Sequence, residues 1–166
     1  MSQVIRSFKP FADRRARVLI LGSMPGPEAL RKKQFYGFDG NHFWHIIPRL
    51  FGVARPPAYG ERLRLIKKNR IALWDVLHSC VRPTAMDSDI RKAKPNKIPQ
   101  LLKKYPNIKA IFINGQTAYK IFQKSFDGQI DRPVYYLPST SPAHATMKFE
   151  EKVKKWSVIK KWIKKK

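Results

Sequence analysis

Acidic residues, cysteine and histidine are what this chain has least of, and each shortage excludes a class of chemistry. One cysteine, Cys80, in 166 residues leaves no partner for an internal disulfide and no cysteine-ligated zinc or iron–sulfur centre. Of the four histidines (His42, His45, His78 and His144), His42 and His45 stand three apart. Neither a third ligand nor a fitting carboxylate accompanies them, so no metal site and no cofactor are expected. Apolar runs stay far below the roughly 20 residues of a helical membrane span, and no apolar signal region follows Met1 to Arg6. A cytoplasmic protein with no membrane attachment is therefore expected. The Gly-rich turn after the first strand-like run lacks the Gly-Lys-Ser/Thr of a phosphate loop. It also fails the Gly-x-Ser-x-Gly spacing of a nucleophile elbow. No serine elsewhere sits on such an elbow, which removes a Ser-His-Asp triad. With neither an internal repeat nor a flexible linker, residues 1–166 read as one domain.

What is present is positive charge. Eleven Asp plus Glu face 35 Lys plus Arg, a formal net charge of +24 and a sequence pI near 10.5. Apolar residues at 43% and aromatics at 12% make the chain globular and not disordered. A globular domain this basic carries the footprint of a polyanion binder, because each neutralised phosphate releases counterions. Charge kept for solubility, or for anionic lipid, is the plainer alternative. No amphipathic anchor supports the lipid reading.

Strand-like and helical runs alternate. Val18 to Leu21, Ile71 to Val76, Ile108 to Ile113 and Val134 to Leu137 are near-continuous apolar runs, the pattern of strands covered on both faces. Between and after them, helical spacing marks Phe43 to Leu50 (with Pro48 as a kink), Glu61 to Lys68, Lys97 to Tyr105 and Gln116 to Phe126. A last helix spans about Phe149 to Lys164, apolar on one side and lysine-rich on the other. Asn96 is placed to cap the third of these helices. The implied fold class is α/β, with a mostly parallel four-stranded sheet between helical layers. Ligands of such sheets bind outside the strands' carboxyl ends. Four loops are singled out there: Ser23 to Asn41, His78 to Asp89, Asn114 to Thr117 and Pro138 to Ala145.

Each loop has a functional and a plain reading. Gly22-Ser23-Met24-Pro25-Gly26 lets backbone N–H groups approach a ligand, or is simply a turn. Phe35-Tyr36-Gly37 leading to Asn41-His42-Phe43-Trp44 offers rings to stack on a flat base. Asn41 either caps the following helix or holds a water with its amide. Asn114-Gly115 is a common turn pair. Yet an amide has donor and acceptor side by side, matching the oxo and N–H of a deaminated base such as hypoxanthine or uracil. The order is the reverse of that in adenine and cytosine, provided neighbours stop the amide flipping. Pro138-Ser139-Thr140-Ser141-Pro142-Ala143-His144 is a proline-stiffened run of hydroxyls, suited to phosphates or to wedging into a groove. Asp39 and Asp75 are the carboxylates that are candidates to assist the chemistry of such a site.

Taken together and in order, these motifs resemble the hypoxanthine-DNA (deoxyinosine) glycosylase family of the uracil-DNA glycosylase superfamily. Leu73-Trp74-Asp75-Val76-Leu77 with Ser79-Cys80, and Asp87-Ser88-Asp89-Ile90, belong to the likeness, which covers nearly the whole chain. The resemblance implies a three-layer α/β/α fold and a monofunctional enzyme that flips a deaminated base from DNA and hydrolyses its N-glycosidic bond. It further implies Asn41 and Asn114 as catalytic residues. Gly22, Ser23, Met24, Pro25, Tyr36, Gly37, Phe43 and Asp75 would line the substrate site. Ser139, Thr140, Ser141, Pro142 and His144 would meet DNA. A monomer with no obligate protein partner fits that work. Phe38-Asp39-Gly40 stands where the family is associated with His-Pro-Arg, and His144 stands in place of an asparagine. Two other classes remain open at this stage: a non-catalytic nucleic-acid-binding module, and a nucleoside hydrolase that would have no use for such charge.

Overall fold

Side-chain alternation on the four apolar runs decides the architecture. In the computed structural model, which describes residues 3–164, these runs become strands β2 (Val18–Gly22), β3 (Ile71–Asp75), β6 (Ala110–Asn114) and β7 (Val134–Leu137). They form one parallel sheet in the order β3-β2-β6-β7, with Gly22 opposite Asp75 and Asn114 opposite Leu137. Successive side chains of a strand point to opposite faces. Val18 and Ile20 accordingly join Phe112 and Leu73 on one face, against α2 (Phe43–Leu50), α3 (Tyr59–Lys68), α6 (Phe149–Trp156) and α7 (Ile159–Ile163). Leu19, Leu21, Ile111 and Ile113 face the other way, against α4 (Ile98–Lys104) and α5 (Gln116–Phe126). Both faces are covered over β2, β3 and β6, hence their near-continuous apolar runs, while the edge strand β7 leaves Tyr135 and Tyr136 exposed. The result is the expected three-layer α/β/α arrangement.

A second sheet was not expected. β1 (Val4–Arg6), β4 (Leu77–Val81) and β5 (Arg91–Pro95) pair antiparallel in the order β1-β4-β5. The expected loop His78 to Asp89 therefore begins inside a strand. Its only other regular piece is a one-turn 3-10 segment at Asp87–Asp89. The reason is physical: β1 has three residues, and all five of β5 are exposed, so neither shows an apolar period. A short helix α1 (Pro27–Lys32) likewise sits inside the expected first loop.

Three further expectations are corrected. Asn96 does not cap α4. Its buried Nδ2 donates to the carbonyls of Asp75 and Leu77 at 2.8 and 3.0 Å, fastening the β3–β4 junction. The C-terminal helix is two helices, broken between Trp156 and Ile159, both of which are wholly buried. Its lysine face is not all solvated either: Lys152 is 1% exposed. Strand limits also shift. β6 starts at Ala110 and takes in Asn114, while Val76 falls outside β3 and bonds through its N–H to the Gly22 carbonyl.

Candidate active site

At the carboxyl end of β2, Gly22 sits against Asp75 of β3 and Tyr36 of the following loop. A Cβ on Gly22 would lie 2.7 Å from Asp75 Oδ1 and 3.1 Å from the Tyr36 hydroxyl. Glycine is thus required here by close approach. Gly22→Ala is expected to cost about 1–3 kcal/mol of stability through this overpacking, seen as a lower urea midpoint. An unchanged midpoint would mean that Asp75 and Tyr36 step aside freely.

Tyr36 takes a left-handed φ of 55° and stacks on Phe43, with centroids 3.9 Å apart and planes 18° apart. Phe43 is completely buried. Expected to touch substrate, it instead backs Tyr36 from inside the core, because α2 turns it inward with Ile46 and Ile47. The Tyr36 hydroxyl and Asp75 Oδ2 are both buried without a hydrogen-bond partner. Burial, then the Asp87 charge, raise the Asp75 carboxyl to about 7 against the pull of Arg82. Tyr36 is also raised, by burial first and by Asp75 next, while the Asn114 amide acts the other way. Asp75, Tyr36 and Asn114 therefore share one low-dielectric spot. Asp39, the other carboxylate of interest, is 90% exposed and 3.4 Å from Lys32, outside that spot.

Asn114 ends β6 and is 9% exposed. Its Oδ1 accepts the Thr140 N–H at 3.0 Å, and its Nδ2 donates to Thr140 Oγ1 at 2.9 Å. A backbone N–H only donates, so the amide oxygen must face it and the orientation is settled. One N–H and one lone pair of the amide remain for another partner. Thr140 is 1% exposed, which corrects its placement at the DNA surface. It is a buried junction, since its carbonyl also accepts the His42 N–H at 2.9 Å. Gly115, at φ 97°, passes so close to Ser139 that a Cβ would meet its side chain at 3.2 Å.

Asn41 is half-buried, and its Oδ1 accepts the Phe43 N–H at 2.9 Å, so it serves the first N–H of α2 from one residue before the cap position, His42. The amide nitrogen has no partner among the described residues. Through His42 and Thr140, the Asn41 segment is tied to the Asn114 loop.

The Gly22 to Pro25 turn is buried and braced by groups that the sequence reading did not single out for a role. Ser23 Oγ donates to Asp87 Oδ2 at 2.6 Å, and Arg82, 8% exposed, donates to the Pro25 carbonyl at 2.8 Å. Arg82 Nη1 lies 3.9 Å from Asp87 Oδ1. Met24 packs on Leu77 and Cys80, and the buried Gly37 approaches the Ala29 backbone at 3.1 Å from a would-be Cβ. Asp87 was visible as part of a motif. Arg82 was one cation among 35 and gave no signal.

The Pro138 to Ala145 loop is held from below by α6. Trp156 Nε1 donates to the Pro138 carbonyl at 2.9 Å, and the buried Lys152 Nζ donates to the His144 carbonyl at 2.8 Å. Residues four apart share a helix face, so one face grips both ends of the loop. Between them Pro142 and Ala143 are exposed, while Ser141 and His144 are half-buried. The sequence reading missed Lys152; its place one turn before Trp156 on the same, apolar helix face was the available signal. A cavity of about 220 Å³ lined by Arg15, Arg17, Arg70 and Asn107 lies at the amino ends of the strands, remote from these groups.

Residues 8–163 match the family model of the uracil DNA glycosylase superfamily. A Methanosarcina acetivorans protein named hypoxanthine DNA glycosylase is 37% identical over 114 residues, covering 68% of this chain and 72% of that protein. Its namesake from Methanosarcina barkeri is 36% identical over 112 residues, covering 67% and 71%. A solution NMR structure from Methanosarcina acetivorans, described as a candidate uracil DNA glycosylase, superposes with a TM-score of 0.85. It has 30% identity and covers 98% of this chain and 100% of that one.

Proposed function

This chain belongs to the uracil DNA glycosylase superfamily, and from that premise we propose that it removes hypoxanthine from deoxyinosine in DNA, with uracil as the second substrate. The reaction is hydrolysis of the N-glycosidic bond. One observation carries the substrate assignment: Thr140 fixes the Asn114 amide so that one donor and one acceptor remain. A lactam edge presents the matching acceptor and donor, in the order that adenine and cytosine reverse.

The target nucleotide leaves the stack, at a cost of a few kcal/mol that is least at a mismatched pair. Tyr36 stacks on the base and Asn114 binds its lactam edge. As the C–N bond breaks, negative charge grows on the base, and the Asn114 N–H stabilises it in a site from which water is excluded. The Asn41 amide nitrogen orients the water that attacks the sugar carbon. With the bond nearly broken beforehand, no strong base is needed. The exposed Pro142 tip, with Ser139, Ser141 and His144, meets the duplex behind the flipped base. The enzyme acts as a cytoplasmic monomer. No lysine is placed as a Schiff-base nucleophile.

End-labelled duplexes with a single inosine or uracil test this. Incubation followed by alkali is expected to break the inosine strand at the lesion, the uracil strand less, and neither without alkali. Cutting without alkali sinks the monofunctional reading. If neither lesion is cut while DNA still binds, the non-catalytic binding module replaces the enzyme.

A further inference from the structure

The three-stranded sheet takes no part in the chemistry above, yet its outer strand carries three cations in five residues. Only Val76 separates β3 from β4. The N-terminal segment pairs with both, Phe11 opposite Leu73 and Val4 to Arg6 opposite Val81 to Ser79. The ladder therefore continues past Gly22 and Asp75, where the parallel sheet ends. From Asp75 to Val81 it reaches up to about 20 Å, at about 3.3 Å per residue. The segment joining β4 to β5 folds back onto the site through Arg82 to Pro25 and Ser23 to Asp87. β5 thus belongs to a wing fixed beside the site.

All five β5 residues, Arg91, Lys92, Ala93, Lys94 and Pro95, are exposed. Among the described residues no carboxylate pairs with Arg91, Lys92 or Lys94. No packing demand explains these side chains. Edge strands do use lysine to deter pairing with another chain, and that is the competing explanation. Three unneutralised cations along one irregular edge strand, with Lys92 at a left-handed φ of 51°, complement a run of phosphates. We propose that β5 is a second contact for the DNA phosphodiester backbone, flanking the base site and blind to sequence. The proposal rests on DNA being the substrate.

The test compares Arg91→Gln/Lys92→Gln/Lys94→Gln with a control of equal charge loss, Lys103→Gln/Lys104→Gln/Lys109→Gln. The control residues are exposed and lie toward the amino ends of the strands. Binding to a lesion-free duplex is measured against salt concentration. Each lost phosphate contact makes the log–log slope shallower by about 0.9, so the β5 variant, which loses three, is expected to lose about 2.7 from the slope. Its affinity should fall by on the order of 100-fold or more near 0.1 M salt, against little change for the control. Its single-turnover rate on saturating inosine duplex should match wild type. Equal losses in both variants overturn the proposal, as does an unchanged slope. Self-association of the β5 variant with an unchanged slope does so as well, leaving edge protection as the whole role. Because lesion-free DNA is read, wild type that binds but cuts nothing defeats the enzyme reading without deciding this one.

Discussion

Asn41→Ala is expected to lower the single-turnover rate on an inosine duplex by about 100- to 1000-fold, the usual effect of removing one well-placed polar group. The same change removes the acceptor for the Phe43 N–H at the start of α2. It should therefore also cost about 1 kcal/mol of stability, as lost helix caps do. The two effects separate with Asn41→Asp. A carboxylate takes the same bond and suits the positive end of the helix, so this variant should melt with wild type. It has no amide N–H to hold a water and should still be slow. An Asp variant both stable and fast would leave the amide nitrogen no role and reduce Asn41 to a cap. Alanine alone cannot make that distinction, because loss of the cap could also displace His42, which ties this segment to Thr140.

The parts of the molecule legible in the sequence were those where packing imposes a period. Val18 to Leu21 and Ile111 to Ile113 are apolar at every position because both faces of the sheet are covered, and their shortness and β-branched content favour strand over buried helix. Asn41 and Asn114 stood out as candidates because strand ends and glycine-rich loops are where ligands meet α/β sheets. What escaped has tertiary causes. β5 is solvated on both faces, so nothing periodic marks it. Asn96 had a local use, the helix cap, and a distant one, the β3–β4 junction; the distant one won, its buried amide donating to two carbonyls there. Thr140 looked like a surface hydroxyl, and Lys152 like one more solvated lysine. Their burial depends on Asn114 and His144, 26 and 8 residues away in the chain. A loop hydroxyl carries no sign in one dimension of whether water or protein will satisfy it, and a helical lysine carries only its place in the period.

The Asp75 carboxyl should make both stability and rate depend on pH near neutrality. Its value is about 7 in the folded chain against an ordinary 3.8, because burial and Asp87 disfavour the anion more than Arg82 favours it. A folded state with the higher value binds the proton more tightly than the unfolded chain does. The associated stability is thus full below about pH 4, is lost as pH rises toward 7, and is gone above it. At about 1.36 kcal/mol per unit, the loss across this window is up to roughly 4 kcal/mol. Asp75→Asn cannot ionise. Its stability relative to wild type should therefore climb from pH 4 to pH 7, level off, and leave it the more stable protein at pH 8. Thermal melts of the pair at several pH values read this directly, and a difference that does not vary with pH sinks it. The rate follows the same proton. Neutral Asp75 leaves the charge growing on the departing base unopposed beside Asn114 and Tyr36, whereas the anion repels it. Single-turnover rates of wild type should fall above pH 7 while those of Asp75→Asn stay level. A wild-type rate that instead rises through pH 7 would make Asp75 a base that activates water, and Asn41 would then lose its place as the residue on which the attack depends.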